Sequence, residues 1–538
     1  MLYILYSYHR FHQFTSIIQS QVRIEKMTLL FSRATKSLLV KTPEIYTCAR
    51  CSKQRRSISQ LRSLFRTNIP NPRTIQLNRS ILKLTNFRNI SLRLDSKITP
   101  FSSNIGENFF KAHTKAKNGF FPETTSKSVA YWLLGSATSV FGIVVLGGLT
   151  RLTESGLSIT EWKPITGSLP PLSQADWDLE FEKYQASPEF QVLNSHMNLS
   201  EFKKIYYMEW GHRQWGRLIG LTFVLPAIYF ISRRKVSLPM SLRIISIAGL
   251  IGFQGFLGWY MVKSGLEESL FTPGSHPRVS QYRLAAHLGT AFTCFTAMLW
   301  NGLAILRTHS LLSYPRNSHA LLQQLNSPTL SPFRKSVAAL SVLIFTTALS
   351  GAFVAGLDAG LIYNQFPRMG EGLHPSKNEL FNPQYSFKPD QSDLIWRNML
   401  ENPTTVQFDH RILAMTTCTA VLGLWAYSRF NSRIRKSLPN SVRKGMLGVV
   451  HLVLLQISLG ITTLIYLVPI PLAAMHQAGA LALLTGVTVL GSRVWIPKRT
   501  WALMKKRLEH SAVVRVNRPE IAQAAIRDIR SHRPPILS

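Results

Sequence analysis

Eight apolar runs, each near the ~20 residues that a helix needs to cross a bilayer, constrain this chain more than any other feature. They lie at about 128–149, 212–231, 242–262, 284–306, 336–357, 409–428, 445–467 and 471–492. Backbone polar groups in lipid must be paired within their own segment, so every run is expected to be an α-helix. The second is prolonged by an amphipathic stretch from about Ser200. The expected fold is an all-α membrane protein.

The formal net charge is +36 over 538 residues. Basic chains often bind nucleic acid, but the distribution here excludes that class. Residues 1–127 hold 22 Lys and Arg against 5 acids, and most of the remaining excess sits in short loops between apolar runs. Arg233, Arg234, Lys235 and Arg243 follow the second run. Arg307, Arg316, Arg334 and Lys335 follow the fourth, and Arg429, Arg433, Arg435, Lys436, Arg443 and Lys444 the sixth. None of these loops holds an acid. The alternate loops carry Glu154, Glu161, Asp176, Glu267, Glu268 and Glu371. By the positive-inside rule, both chain ends lie on the side of the basic loops.

The first ~120 residues, rich in Arg and Ser and poor in acids, read as a mitochondrial targeting segment, which makes that side the matrix. Translation starts at Met1 or at Met27. The Cys48/Cys51 pair lacks the further ligands a metal site needs. The basic tail after Pro497 is expected along the matrix surface.

The runs repeat as four plus four. Gln254 and Gly258 in the third match Gln456 and Gly460 in the seventh. Leu284-Ala-Ala-His287 opens the fourth, and Leu472-Ala-Ala-Met-His476 the eighth. His212-Arg213 in the second matches His410-Arg411 in the sixth. The Gly147–Gly156 segment ending the first run matches Gly351–Gly360 ending the fifth. An even number of helices per half makes the halves parallel repeats, so two pseudo-symmetric four-helix bundles are expected. The expected divisions are a presequence and matrix-facing segment (1–127), a first bundle (128–306), a matrix linker (307–335), a second bundle (336–496) and a matrix tail (497–538).

His212 can meet His287 in the first bundle, and His410 can meet His476 in the second. Ionisable residues in lipid are costly and need a reason. Two imidazoles on facing helices form a natural axial pair for haem iron. No Cys or carboxylate cluster favours a bare metal. His451 stands outside the pattern and reads as ordinary packing. Arg213 and Arg411 are placed either to hold haem propionates by paired hydrogen bonds or to snorkel at a helix mouth. One carboxylate breaks the symmetry. Glu209 lies three residues before His212, on nearly the same helix face, whereas Gln407 takes its place before His410.

These residues resemble the haem A synthase family, in its mitochondrial branch. The resemblance spans about 128–492 and rests on GLTRLTESGLSITEWKP from Gly148 to Pro164, Glu209-Trp-Gly-His212, Leu284-Ala-Ala-His287, Tyr363-Asn-Gln-Phe-Pro367, Asp409-His410 and His476. It implies oxidation of a ring methyl of haem O to the formyl group of haem A. It also implies a substrate haem in the first bundle, a haem b cofactor in the second, and Glu209 as the family's essential carboxylate. The cysteine pair of some bacterial members has no counterpart between Leu149 and Glu209.

Expected partners are haem O synthase, ferredoxin and its reductase as electron donors, cytochrome c oxidase assembly factors and inner-membrane lipid, with no nucleic acid. A homo-oligomer is compatible with the sequence. The expected location is the mitochondrial inner membrane, with both termini in the matrix. A two-haem b-type electron-transfer cytochrome explains the four histidines equally well, but not Glu209 against Gln407. A transporter predicts a broken helix or polar stripe at mid-membrane, and the sequence has neither.

Overall fold

Helices of 25 to 34 residues occupy every expected apolar run. The computed structural model describes residues 121–509, apart from 164–166, 168 and 272–276. The targeting segment and the Cys48/Cys51 pair lie outside the described residues. The long helices are α1 (Lys127–Leu152), α2 (Leu199–Ser232), α3 (Leu238–Ser264), α4 (Gln281–Ser313), α5 (Ser331–Gly356), α6 (Pro403–Phe430), α7 (Asn440–Ile465) and α8 (Ile470–Val494). No strand occurs among the described residues.

Seven of these helices are long and apolar enough to cross a membrane. The exception is α6, which has 28 residues but carries Gln407, Asp409, His410, Arg411 and several threonines. Six of the helices outrun their apolar runs at both ends, and α5 and α7 at the start alone, because capping residues and polar turns continue them past the hydrophobic pattern. Asn198 starts α2 with a capping box closed by Glu201, a reciprocal pairing that satisfies two free N–H groups. At ~1.5 Å per residue, the 34 residues of α2 exceed a ~30 Å hydrocarbon layer. Its first turns therefore stand outside the apolar slab.

Contacts close in two cycles. α1 packs on α2, α2 on α3, α3 on α4 and α4 on α1; α5 through α8 repeat the scheme. α4 meets α5 and α8, and α8 meets α1. One continuous apolar core runs through both sets, with Leu133, Ile244 and Met298 on the first and Val337, Val442 and Leu481 on the second.

The two long acidic connections fold over one end of the helices. In the first, short helices at Gln174–Gln185 and Pro188–Val192 pack Trp177 and Tyr184 against Phe202 and Tyr206 of α2. In the second, Arg397 bridges Asp393 and Glu401, and Tyr282 of α4 donates to Glu401 at 2.8 Å. Asp358 pairs with both Arg151 and Arg278, tying the end of α1 to the end of α5. At the opposite face, the described part of the tail does more than lie along a surface. Residues 498–509 are helical, Met504 is buried, and Thr500 bonds Thr308 at the end of α4.

Candidate haem-binding site

Each of the four helix-mouth histidines rests against a glycine on a neighbouring helix. A Cβ at Gly147 would lie 2.8 Å from Cε1 of His212, one at Gly258 3.3 Å from Cε1 of His287, one at Gly351 3.2 Å from Cε1 of His410, and one at Gly460 2.8 Å from Cε1 of His476. All four contacts are tighter than a side chain tolerates without a shift. The glycines thus let the Cε1 edge of each imidazole approach the neighbouring helix closely. One turn before two of them, a glutamine locks the histidine's own backbone: Gln254 Nε2 donates to the His287 carbonyl at 2.8 Å, and Gln456 Nε2 to that of His476 at 3.0 Å.

All four histidines line one cavity of about 1270 Å³. That exceeds the roughly 300–1,000 Å³ usual for a single small ligand. His410 and His476 have ring centres 6.5 Å apart and perpendicular planes. A metal atom bonded to a nitrogen of each ring at ~2 Å requires about this separation. His451 is exposed and lies off the cavity. Among the described residues no three His, Cys, Asp or Glu side chains gather into a site for a bare ion.

The ring nitrogens fit iron ligation from the Nε2 side. Nδ1 of His410 is bonded to Ser350 Oγ at 2.7 Å. Nδ1 of His212, His287 and His476 is buried and makes no hydrogen bond of normal geometry. An inaccessible Nδ1 cannot reach a ligand in the cavity, so Nε2 is left in each ring.

Glu209 is 4% exposed and fully engaged. Its Oε2 accepts from Ser158 Oγ at 2.7 Å and from the Ile159 N–H at 2.8 Å. Its Oε1 accepts from Arg213 Nε at 3.0 Å and Nη2 at 2.6 Å. Ser158 and Ile159 reach Glu209 because α1 ends in a turn with Glu154 at φ 51, which sends 155–163 back across α2, whereas Arg213 lies one turn along α2 itself. The other half repeats the turn at Asp358, φ 52. There Gln407 donates to the Tyr363 carbonyl at 3.1 Å and is 3% exposed. The same framework therefore surrounds a charge in one half and an amide in the other.

Arg213 and Arg411 clamp these loops. Arg213 donates to the carbonyls of Ile159 and Glu161, and Arg411 to those of Tyr363 and Arg368. Arg411 keeps a buried Nε without a hydrogen-bond partner, as does Arg151, and both side chains line the cavity. Sequence reasoning did not assign Arg151, Ser158, Ser350, the two glutamines or the four glycines. The repeat had already paired the glutamines and glycines, and their matched spacing from the histidines was the usable signal. Ser158 and Arg151 lie inside the Gly148–Pro164 motif, which marked the segment without singling either residue out.

A family model described as cytochrome oxidase assembly protein matches residues 130–488. The chain is 49% identical over 420 residues to the haem A synthase of Saccharomyces cerevisiae, covering 78% of this chain and 85% of that protein. It is 48% identical over 366 residues to the human haem A synthase, covering 68% and 82%. It is also 51% identical over 406 residues to a haem A synthase–mitochondrial ferredoxin fusion protein of Schizosaccharomyces pombe, covering 73% of this chain and 65% of the fusion.

Proposed function

The chain belongs to the cytochrome oxidase assembly protein family, and from that premise we propose that it is the enzyme that oxidises haem O to haem A in a mitochondrial membrane. Relatives named for this activity, sharing close to half their residues over most of both chains, support it. The reaction takes a ring methyl of the substrate to a formyl group through an alcohol, in two two-electron oxidations whose electrons end on dioxygen. The observation that carries the site reading is the buried Glu209 carboxylate, held by four hydrogen bonds, at one of two repeat-related histidine pairs.

His212 and His287 hold the substrate haem, and His410 and His476 hold haem b. When bound, haem b supplies one-electron transfer. Four donors fill the lone-pair positions of a carboxylate, so Glu209 acts as a fixed negative charge. Beside the reacting methyl, a preorganised anion stabilises positive charge as electrons are withdrawn. Ser158 Oγ is the one donor on a rotatable hydroxyl. Its release frees a lone pair of Glu209 for the methyl proton. Arg151 and Arg411 line the cavity and supply positive charge for haem propionates, and Arg213 holds Glu209 in place. The cap formed by residues 153–163 and 173–198 covers this end of the site and limits access of water.

In this reading α6 also crosses the bilayer, giving eight spans in two four-helix bundles of the inner membrane, with both termini in the matrix. Of the polar residues that lower the apolarity of α6, Gln407, His410, Arg411 and Thr417 line the cavity. The divisions at 1–127, 128–306, 307–335, 336–496 and 497–538 follow from it. Ferredoxin is the electron donor, supported by the fused ferredoxin of the Schizosaccharomyces pombe relative. The basic matrix loops suit an acidic partner. Ferredoxin reductase, haem O synthase and cytochrome c oxidase assembly factors complete the partner set, and self-association is compatible with it.

The test is chromatography of haems extracted from membranes that contain the full chain, supplied with haem O and a ferredoxin reducing system. Haem A or its alcohol precursor in the wild type, and neither in Glu209→Gln, is the expected result. Haem b alone, with haem O unchanged in folded protein, would replace this reading with a two-haem electron-transfer cytochrome.

A further inference from the structure

The two histidine pairs differ in a second way, apart from Glu209 and Gln407. Ser350 sits one residue before Gly351, the glycine under His410. Its Oγ donates to the Thr347 carbonyl at 2.8 Å, which uses the only hydroxyl proton. The 2.7 Å contact with His410 Nδ1 must then run from the ring N–H to Oγ. That fixes the tautomer and leaves the Nε2 lone pair for the cavity. By the repeat, Gly147 matches Gly351, so Leu146 stands where Ser350 does. A leucine can accept nothing. His212 Nδ1 is accordingly buried without a hydrogen bond, so its ring, which packs on Gly147, has no polar tether at that nitrogen.

We propose that Ser350 is a positioning residue that makes His410 a permanent axial ligand, and that the missing tether on His212 leaves the first site able to exchange its haem. The inference rests on the reading that haem b occupies the His410/His476 pair. The physical basis is general. A ligating imidazole is oriented, and made a stronger donor, by the acceptor on its other nitrogen. A cofactor that stays needs that tether. A substrate that must enter, react and leave is better served by a ligand free to swing. The same asymmetry would allow His212 to be the ligand that moves during turnover.

The experiment uses the purified full chain. The rate of haem loss to excess apomyoglobin and the low-spin resonance spectrum of the haem are compared in wild type, Ser350→Ala and Ser350→Thr. Ser350→Ala is expected to release the His410-dependent haem about 10- to 100-fold faster, the range typical of lost outer-shell partners, and to shift its spectrum. Ser350→Thr, which keeps the hydroxyl, is expected to restore both. Leu146→Ser should slow haem loss from the first site.

A wild-type rate and spectrum in Ser350→Ala would overturn the tether. So would equal damage in Ser350→Thr, since packing would then explain the effect, and so would an unchanged first-site rate in Leu146→Ser. Wild-type protein with no haem dependent on His410 would overturn the underlying site reading together with the tether.

Discussion

Arg213 Nη2 lies 2.6 Å from Glu209 Oε1, one helical turn away on α2, and the Glu209 side chain is only 5% exposed. Removing one partner of a buried pair leaves the other charge uncompensated, at a cost of about 3–5 kcal/mol. Arg213→Ala should therefore lower the unfolding temperature of the purified protein as well as its activity. Glu209→Gln keeps the shape and removes the charge. It should lower product formation by about 10²–10³-fold, the range seen when one preorganised electrostatic group is lost, while the protein stays folded and keeps haem b. Activity within a few-fold of wild type would remove Glu209 from the chemistry.

The four glycines under the histidines predict a graded series. A methyl at Gly147 or Gly460 would stand 2.8 Å from the ring, against 3.3 Å at Gly258 and 3.2 Å at Gly351. Overpacking costs about 1–3 kcal/mol, and here the strain falls on a ligand. Gly460→Ala should reduce haem b per chain more than Gly351→Ala, measured by pyridine haemochrome. Equal retention in both variants would contradict the packing account.

Gln254 and Gln456 perform the same task in the two halves, so they should respond alike. Gln254→Leu and Gln456→Leu each remove one hydrogen bond to a histidine carbonyl, worth about 1 kcal/mol. The first should weaken haem binding at the substrate site and the second at the haem b site. Site-resolved haem titration tests this. A loss confined to one half would break the functional equivalence of the repeat.

The cap over the first site carries its own pH dependence. Burial pushes the Glu189 carboxyl up to about 8 from the ordinary 4.5. Glu209 and Glu154 reinforce the shift, while the Tyr184 hydroxyl and Arg151 oppose it. The folded cap thus holds a proton that the unfolded chain releases above pH 4.5. Its stability is full below that pH, declines as pH rises toward 8, and levels off beyond. Amide protection factors of residues 174–198, corrected for the intrinsic rise of exchange with pH, should fall across this window in the wild type. Glu189→Gln should flatten the trend, and a wild-type slope in that variant would rule out Glu189 as its source.

The helices and ligand candidates were legible because they are periodic or costly: apolar runs in lipid, histidines among them, and matching motifs in order. The one helix outside the apolarity expected of a span, α6, holds Asp409, His410 and Arg411, so the residues that reveal the site also blur the span. Ser158 could not be foreseen, since it reaches Glu209 only after the chain reverses at Glu154. Ser350 was equally silent, because a serine in an apolar helix gains meaning only from the ring it faces. The fold of the cap depends on aromatic contacts among Trp177, Tyr184 and Phe202, which no sequence period announces.

The central claim is a division of labour: one histidine pair keeps haem b and the other turns over haem O. The direct measurement is the haem content of the purified full chain in His212→Met and His410→Met variants, identified by chromatography after extraction. The account predicts that His212→Met retains haem b and makes no haem A, whereas His410→Met loses haem b. Haem b lost from His212→Met but kept in His410→Met would contradict it.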